Sequence, residues 1–182
     1  MLRLILLALT CCLLGAEPAL NTMHLTPVQR NWFRNPDGSC VQCSIGRCGV
    51  WCNDPRAATL LWDTRYGHQV RGGSWPSRVE AYCQERGITA WSVSGDTTIE
   101  WCRWAAKTGR FAAIGAGPAH FQTLYGYDNE RKRWLVCNNN SPDRIDEYTE
   151  EGFRRLHYQS GPWVVVLQRS SSPNPVLTEW WK

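Results

Sequence analysis

The chain contains no apolar run of the roughly 20 residues that a membrane span needs. Its longest, Leu4 to Leu14, falls well short. It also lacks a cluster of one charge: 20 basic and 16 acidic residues leave a formal +4, spread evenly along 182 residues. Nucleic-acid binding, whose mark is Lys and Arg gathered on one face, is not expected. There is no internal repeat. Gly115-Ala116-Gly117 lacks the strand, glycine-rich turn and helix order of a dinucleotide site and reads as a turn into a strand, and Arg131-Lys132-Arg133 reads as a solvated turn. The length excludes a multidomain assembly. A hydrophobic content of 43% is enough for a packed core and excludes global disorder.

What is present begins with Met1-Leu2-Arg3, the apolar run, and the small pair Gly15-Ala16, which together have the form of a secretory signal cut after Ala16. The sequence thus predicts a signal over residues 1–16, one domain over residues 17–169, and a loose, turn-rich tail over residues 170–182. The expected location is secreted, periplasmic or extracellular, with no stable membrane insertion after cleavage. Of nine cysteines, Cys11 and Cys12 leave with the signal. Seven remain, an odd number, so in an oxidising compartment six can pair and one is left over. Zinc is not expected, because four thiolates on one short helix cannot easily surround a tetrahedral ion. Cys43, Cys48 and Cys52, on a continuous helix, would instead pair with Cys83, Cys102 and Cys137, in an order that sequence does not choose.

Residues 20–37 look like an extended entry segment. Ser39-Cys40-Val41-Gln42 fits a capping box that starts a helix at Cys40, running to Trp51 or Cys52 before Asn53-Asp54-Pro55. Gly46 and Gly49 weaken that helix and imply that something packs closely against it. Further helices are predicted over residues 76–86, 97–107 and 149–157, and strands over 88–93, 111–114, 120–127, 133–138 and 163–168. Helices come first and strands cluster late, an order that argues for α+β with an antiparallel sheet. Most of the eleven tryptophans are assigned to the core, with some available to line a glycan or peptide groove.

A cysteine at the first position of a helix meets unpaired N–H groups and the positive end of the helix dipole, which favour its thiolate. Cys40 is therefore the candidate for the unpaired, reactive thiol. Such a nucleophile needs a base and a group to orient it. His24, His68 and His157 lie in an entry segment, a loop and a helix end; His120 opens a strand. If Tyr127 faces Arg131 across a three-residue loop, His120 stands opposite Asn138, close enough for an amide oxygen to hold an imidazole N–H.

Gly38-Ser39-Cys40, His120-Phe121-Gln122-Thr123-Leu124-Tyr125-Gly126-Tyr127 and Trp134-Leu135-Val136-Cys137-Asn138 resemble, in that order, the three active-site blocks of papain-like cysteine peptidases. The match covers most of the mature chain. The Gly-Tyr-Asp after the histidine strand, and Asn-Ser-Pro followed by Tyr148-Thr149-Glu150-Glu151 and Phe153, are most similar to the compact bacterial branch related to double-glycine-leader peptidases. The resemblance implies a papain-like fold in which a nucleophile-bearing helix packs on an antiparallel sheet. It implies Cys40 as nucleophile, His120 as general base and then acid, and Asn138 as orienter. It also implies an upstream oxyanion glutamine, for which Gln29 is the only one available and Asn35 a competing amide. Asn139 and Asn140 follow Asn138, and Ser141-Pro142 replaces the family's aspartate-proline pair, which leaves the orienter open. Only 80 residues separate Cys40 from His120, too few for papain's large second lobe. The implied activity is hydrolysis of peptide or protein substrates without cofactor or metal. A cell-wall amidase and an inactive, disulfide-stapled binding module are the alternatives.

Overall fold

The computed structural model describes residues 25–36, 38–63, 73–159 and 161–168. The signal segment, Cys11 and Cys12, His24, His68 and the tail lie outside the described residues. Thr26 opens helix α1 (Pro27–Trp32): its hydroxyl accepts from the Gln29 N–H while Gln29 Oε1 accepts from the Thr26 N–H, a complete capping box with proline at the first helical position. The entry segment expected to be extended is thus helical over these residues. Thr26-Pro27-Val28-Gln29 carried the signal.

Helix α2 (Cys40–Trp51) spans the residues expected of it, but not through the expected cap. The Ser39 side chain makes no capping bond. The Ser39 N–H donates instead to Asn35 Oδ1 at 2.9 Å, and the Gln42 amide donates to Ser74 Oγ at 2.8 Å. Helix α3 (Pro55–Ala58) starts at Asp54, whose carboxylate accepts from the Arg56 N–H. A single 3-10 turn (Leu60–Trp62) follows. Helix α4 (Pro76–Arg86) ends at Gly87, left-handed at φ 63°. Helices α5 (Thr98–Lys107) and α6 (Glu150–Tyr158) complete the set, the last capped by Thr149 Oγ1 on the Gly152 N–H.

Six antiparallel strands form one sheet in the order β1-β6-β2-β3-β4-β5. They are β1 (Ala90–Ser94), β2 (Ala112–Gly115), β3 (Phe121–Asp128), β4 (Arg133–Cys137), β5 (Asp146–Tyr148) and β6 (Trp163–Leu167). Side chains alternate across the pleat and feed two cores. Phe121, Tyr125, Leu135, Val165 and Leu167 join α2, α3 and α4 on one face, and Leu124, Trp134, Val136, Val164 and Val166 join α5 and α6 on the other. The expected α+β architecture is observed. Among the described tryptophans Trp51, Trp134 and Trp163 are buried and Trp32, Trp91, Trp101 and Trp104 pack partly buried against the two cores, so most have the expected core role; Trp62 and Trp75 are exposed.

The predicted disulfide pairing is not supported. The seven cysteines from Cys40 to Cys137 are buried and none of them forms a disulfide. Cys102 lies in the α5 core, on the opposite face of the sheet from α2, so the sheet separates it from Cys43, Cys48 and Cys52. These thiols fill space as small apolar side chains. Burial pushes Cys43 up to about 12 and Cys83 up to about 11. The odd count no longer singles out Cys40; its position does.

Candidate active site

Three chain ends converge: the start of α2, the start of β3 and the end of β4. Cys40 is the first residue of α2 and is 9% exposed. Burial pushes its thiol up, while bonds from the backbone N–H groups of Phe121, Val41 and Cys40 itself act the other way. The helix start therefore does not produce the net acidification that the sequence predicts, because desolvation outweighs the N–H groups. The bond from Phe121 places the sulfur beside the residue that follows His120.

His120 is delivered by a strained turn. Gly117 and Ala119 both have left-handed backbones, at φ 76° and 48°, and the Ala116 N–H donates to His120 O at 3.0 Å to close the turn. For alanine that conformation costs about 1–2 kcal/mol. The imidazole Nε2 lies 3.0 Å from Asn138 Oδ1. That oxygen also accepts from the Asn140 backbone N–H at 2.9 Å. A backbone N–H can only donate, so the Asn138 atom facing both groups is the oxygen, and Nε2 must carry the proton. The neutral ring then has its lone pair on Nδ1, the nitrogen that a general base needs.

The β3–β4 register that brings these residues together is not the predicted one. Thr123 pairs with Cys137 and Leu124 with Val136, whereas a three-residue loop would set Thr123 opposite Leu135. A shift of two residues preserves the face of every side chain. A bulge between Leu124 and Gly126 absorbs one further residue before Tyr127 pairs with Trp134. His120 and Asn138 lie just beyond the paired strands, and their side chains meet there.

The next two asparagines tie the loop after β4 to α2. Asn139, fully buried, donates from Nδ2 to Cys40 O and Phe121 O, both at 2.9 Å, and the same nitrogen lies 3.1 Å from Ser44 Oγ. Its amide thus holds the nucleophile helix and the histidine strand together. Asn35 donates from its backbone N–H to Asn139 O and from Nδ2 to Asn140 Oδ1, while its own Oδ1 accepts from Ser39 at the start of α2. Sequence reasoning assigned Asn139 no such role, and only the run of three asparagines hinted at it. Gln29 stands apart: its side-chain oxygen closes the α1 capping box, at the start of α1 rather than of α2. His157 is also elsewhere, fully buried between Gly115 O and Thr98 Oγ1 on the far face of the sheet. Among the described residues, no group of three or more His, Cys, Asp or Glu side chains is placed to hold a metal ion.

Beneath the site, Arg47 is fully buried. Its guanidinium donates to Arg30 O and Phe33 O at 3.1 and 3.0 Å, and reaches Cys137 O and Thr123 Oγ1 at 3.4 and 3.5 Å. Arg30 in turn donates to Leu25 O, Pro142 O and Asp143 O. Two cations bonded to carbonyls thus link α1, α2 and the loop after Asn140.

No protein-family model matches the sequence, and neither does any curated protein. Solved structures do. A C39-like peptidase from Bacillus anthracis superposes with a TM-score of 0.54 at 14% identity, over 74% of this chain and 90% of that one. The peptidase domain of Streptococcus ComA, a bifunctional ABC transporter of a quorum-sensing pathway, superposes with a TM-score of 0.51 at 12% identity, over 72% and 93%. With helices α1 to α4 on one face of the antiparallel sheet and α5 and α6 on the other, the chain has the papain-like fold of these C39-like peptidase domains.

Proposed function

We propose that the protein is a cysteine peptidase, acting outside the cytoplasm, that hydrolyses peptide bonds of a peptide or protein substrate through Cys40, His120 and Asn138. The observation that carries this reading is the His120–Asn138 bond, whose oxygen is fixed by the Asn140 N–H so that Nδ1 is basic. Because burial holds the Cys40 thiol protonated, ionisation comes by transfer of its proton to His120 Nδ1 rather than from the helix start alone. The sulfur then attacks the scissile carbonyl carbon. The oxyanion forms beside the Cys40 backbone N–H, and His120 gives its proton to the leaving amine. Water, deprotonated by His120, attacks the thioester and releases the acid, restoring the thiol. Asn138 keeps the ring in one tautomer through both halves.

A second oxyanion donor must come from a side-chain amide. Asn35 is bonded to the first turn of α2 and has a second Nδ2 hydrogen to offer, so we place it ahead of Gln29. The direct test is Cys40→Ala. Hydrolysis of labelled casein is expected to vanish while the unfolding transition stays where it was. Undiminished turnover in that variant would overturn the assignment.

A further inference from the structure

Cys40 and Cys43 stand three residues apart in the first turn of α2, where the Cys43 N–H closes the first helical bond to Ser39 O at 2.9 Å. Residues at that spacing share a helix face, with Cα atoms about 5 Å apart by helix geometry. That separation lies inside the window of roughly 4.4–6.8 Å that a disulfide spans. The Cβ atoms must close by about 1–2 Å, and a first turn whose N–H groups lack helical partners is the part of a helix that can tighten. The two sulfurs also sense each other, since the charge of Cys40 is one of the causes that hold the Cys43 thiol up. Access is unequal: Cys40 is 9% exposed and Cys43 fully buried. Cys48 and Cys52 lie about 12 and 18 Å further along the helix axis, out of reach.

Resting on the reading of Cys40 as the reactive thiol, we propose that Cys40 and Cys43 form a reversible disulfide on oxidation, with Cys43 as the resolving thiol that protects the nucleophile. A peroxide oxidises the exposed partner first, converting Cys40 S–H to the sulfenic acid with release of water. The Cys43 thiol then attacks that sulfur, forming the S–S bond and expelling a second water. A dithiol reductant returns both thiols and is itself oxidised. The closed form has no nucleophile, yet it is spared the irreversible step to sulfinic acid.

Arg34 and Arg47 flank both cysteines, so trypsin places them in one peptide, residues 35–47. The reduced full chain is treated with hydrogen peroxide, alkylated with iodoacetamide under denaturing conditions, and mapped. The expected result is that this peptide loses two hydrogens and takes up no alkyl group, and that dithiothreitol restores alkylation at both positions. In Cys43→Ala, Cys40 is expected to pass to sulfinic acid and resist dithiothreitol. A wild-type map showing Cys40 overoxidised beside an alkylated Cys43, Cys40 joined to Cys137, or both thiols untouched would overturn the proposal. The map makes no use of turnover. A disulfide found in a protein without hydrolytic activity would therefore sink the peptidase reading and leave this one standing.

Discussion

A backbone amide decides which nitrogen of His120 can act. The Asn140 N–H forces the Asn138 oxygen toward the ring, and the oxygen forces the proton onto Nε2. The same loop presents Asn35 to the start of α2, whereas Gln29 is tied through its Oε1 to the start of α1. Removing one oxyanion donor typically lowers turnover by about 10² to 10³. Losing a capping side chain costs about 0.5–2 kcal/mol of stability and leaves chemistry alone. Asn35→Ala is therefore expected to cut kcat on labelled casein by about 10² or more, and Gln29→Ala to lower the unfolding midpoint with kcat nearly unchanged. The reverse pattern would return the donor role to Gln29. At this scale much of the site was legible, because Cys40, His120 and Asn138 each sit at the end of an element that periodicity and turn residues mark. The bonds that Asn35 and Asn139 make to α2 were not. They depend on where the loop after β4 lands against α2, a contact between residues about a hundred positions apart that no local pattern encodes.

At the scale of elements, α2 is the piece on which the site depends, and its two interior glycines let it be buried all round. A Cβ on Gly46 would lie 2.4 Å from the Phe33 ring, and one on Gly49 would lie 2.3 Å from the Ala58 nitrogen in α3. Helix propensity alone favours Gly49→Ala by about 1 kcal/mol. Overpacking costs about 1–3 kcal/mol or more, and a backbone nitrogen cannot swing aside as a side-chain end can. The clash wins. Gly49→Ala is expected to lower stability by up to about 2 kcal/mol, read as a lower urea midpoint at unchanged slope; a midpoint at or above the wild-type value would contradict the close packing of α2 on α3. The sequence already implied this contact, since glycines that weaken a helix need a reason to be there. Its cap was misread for a related cause. Ser39 and Gln42 have the spacing of a capping box, but Asn35 and Ser74, brought in by tertiary packing, took the Ser39 N–H and the Gln42 amide. Near the site, at Thr123 and Leu124, the strand pairing failed by an even number, so the wrong register still put His120 and Asn138 on the right face. The cysteine count misled most, because parity says nothing about which side of a sheet a thiol occupies.

Across the whole molecule, the sheet separates a face that carries the candidate site from a face that holds the scaffold closed, and the second has its own titratable group. His157 on α6 meets Gly115 O at the end of β2 through Nδ1 and Thr98 Oγ1 at the start of α5 through Nε2, each at 2.8 Å. Nδ1 must donate to the carbonyl, and Nε2 faces Thr98 Oγ1, whose hydroxyl also donates to Gly95 O at 2.9 Å. Burial lowers the ring's affinity for a second proton below the ordinary value of 6.5. Because the folded pKa is depressed, the unfolded chain binds more protons than the native one below pH 6.5, and stability falls as pH drops from there toward the folded value. The slope from this one group approaches about 1.4 kcal/mol per pH unit within that window. Urea midpoints measured between pH 7.5 and 5.5 are expected to fall for the wild type. His157→Asn, which keeps a polar side chain but does not titrate, is expected to be less stable at pH 7.5 and nearly flat across the same range. Equal slopes in the two proteins would mean that the acid sensitivity lies elsewhere. With the predicted difference, docking of α6 would weaken in acid from the side of the sheet opposite Cys40, so stability and catalysis would follow separate pH profiles.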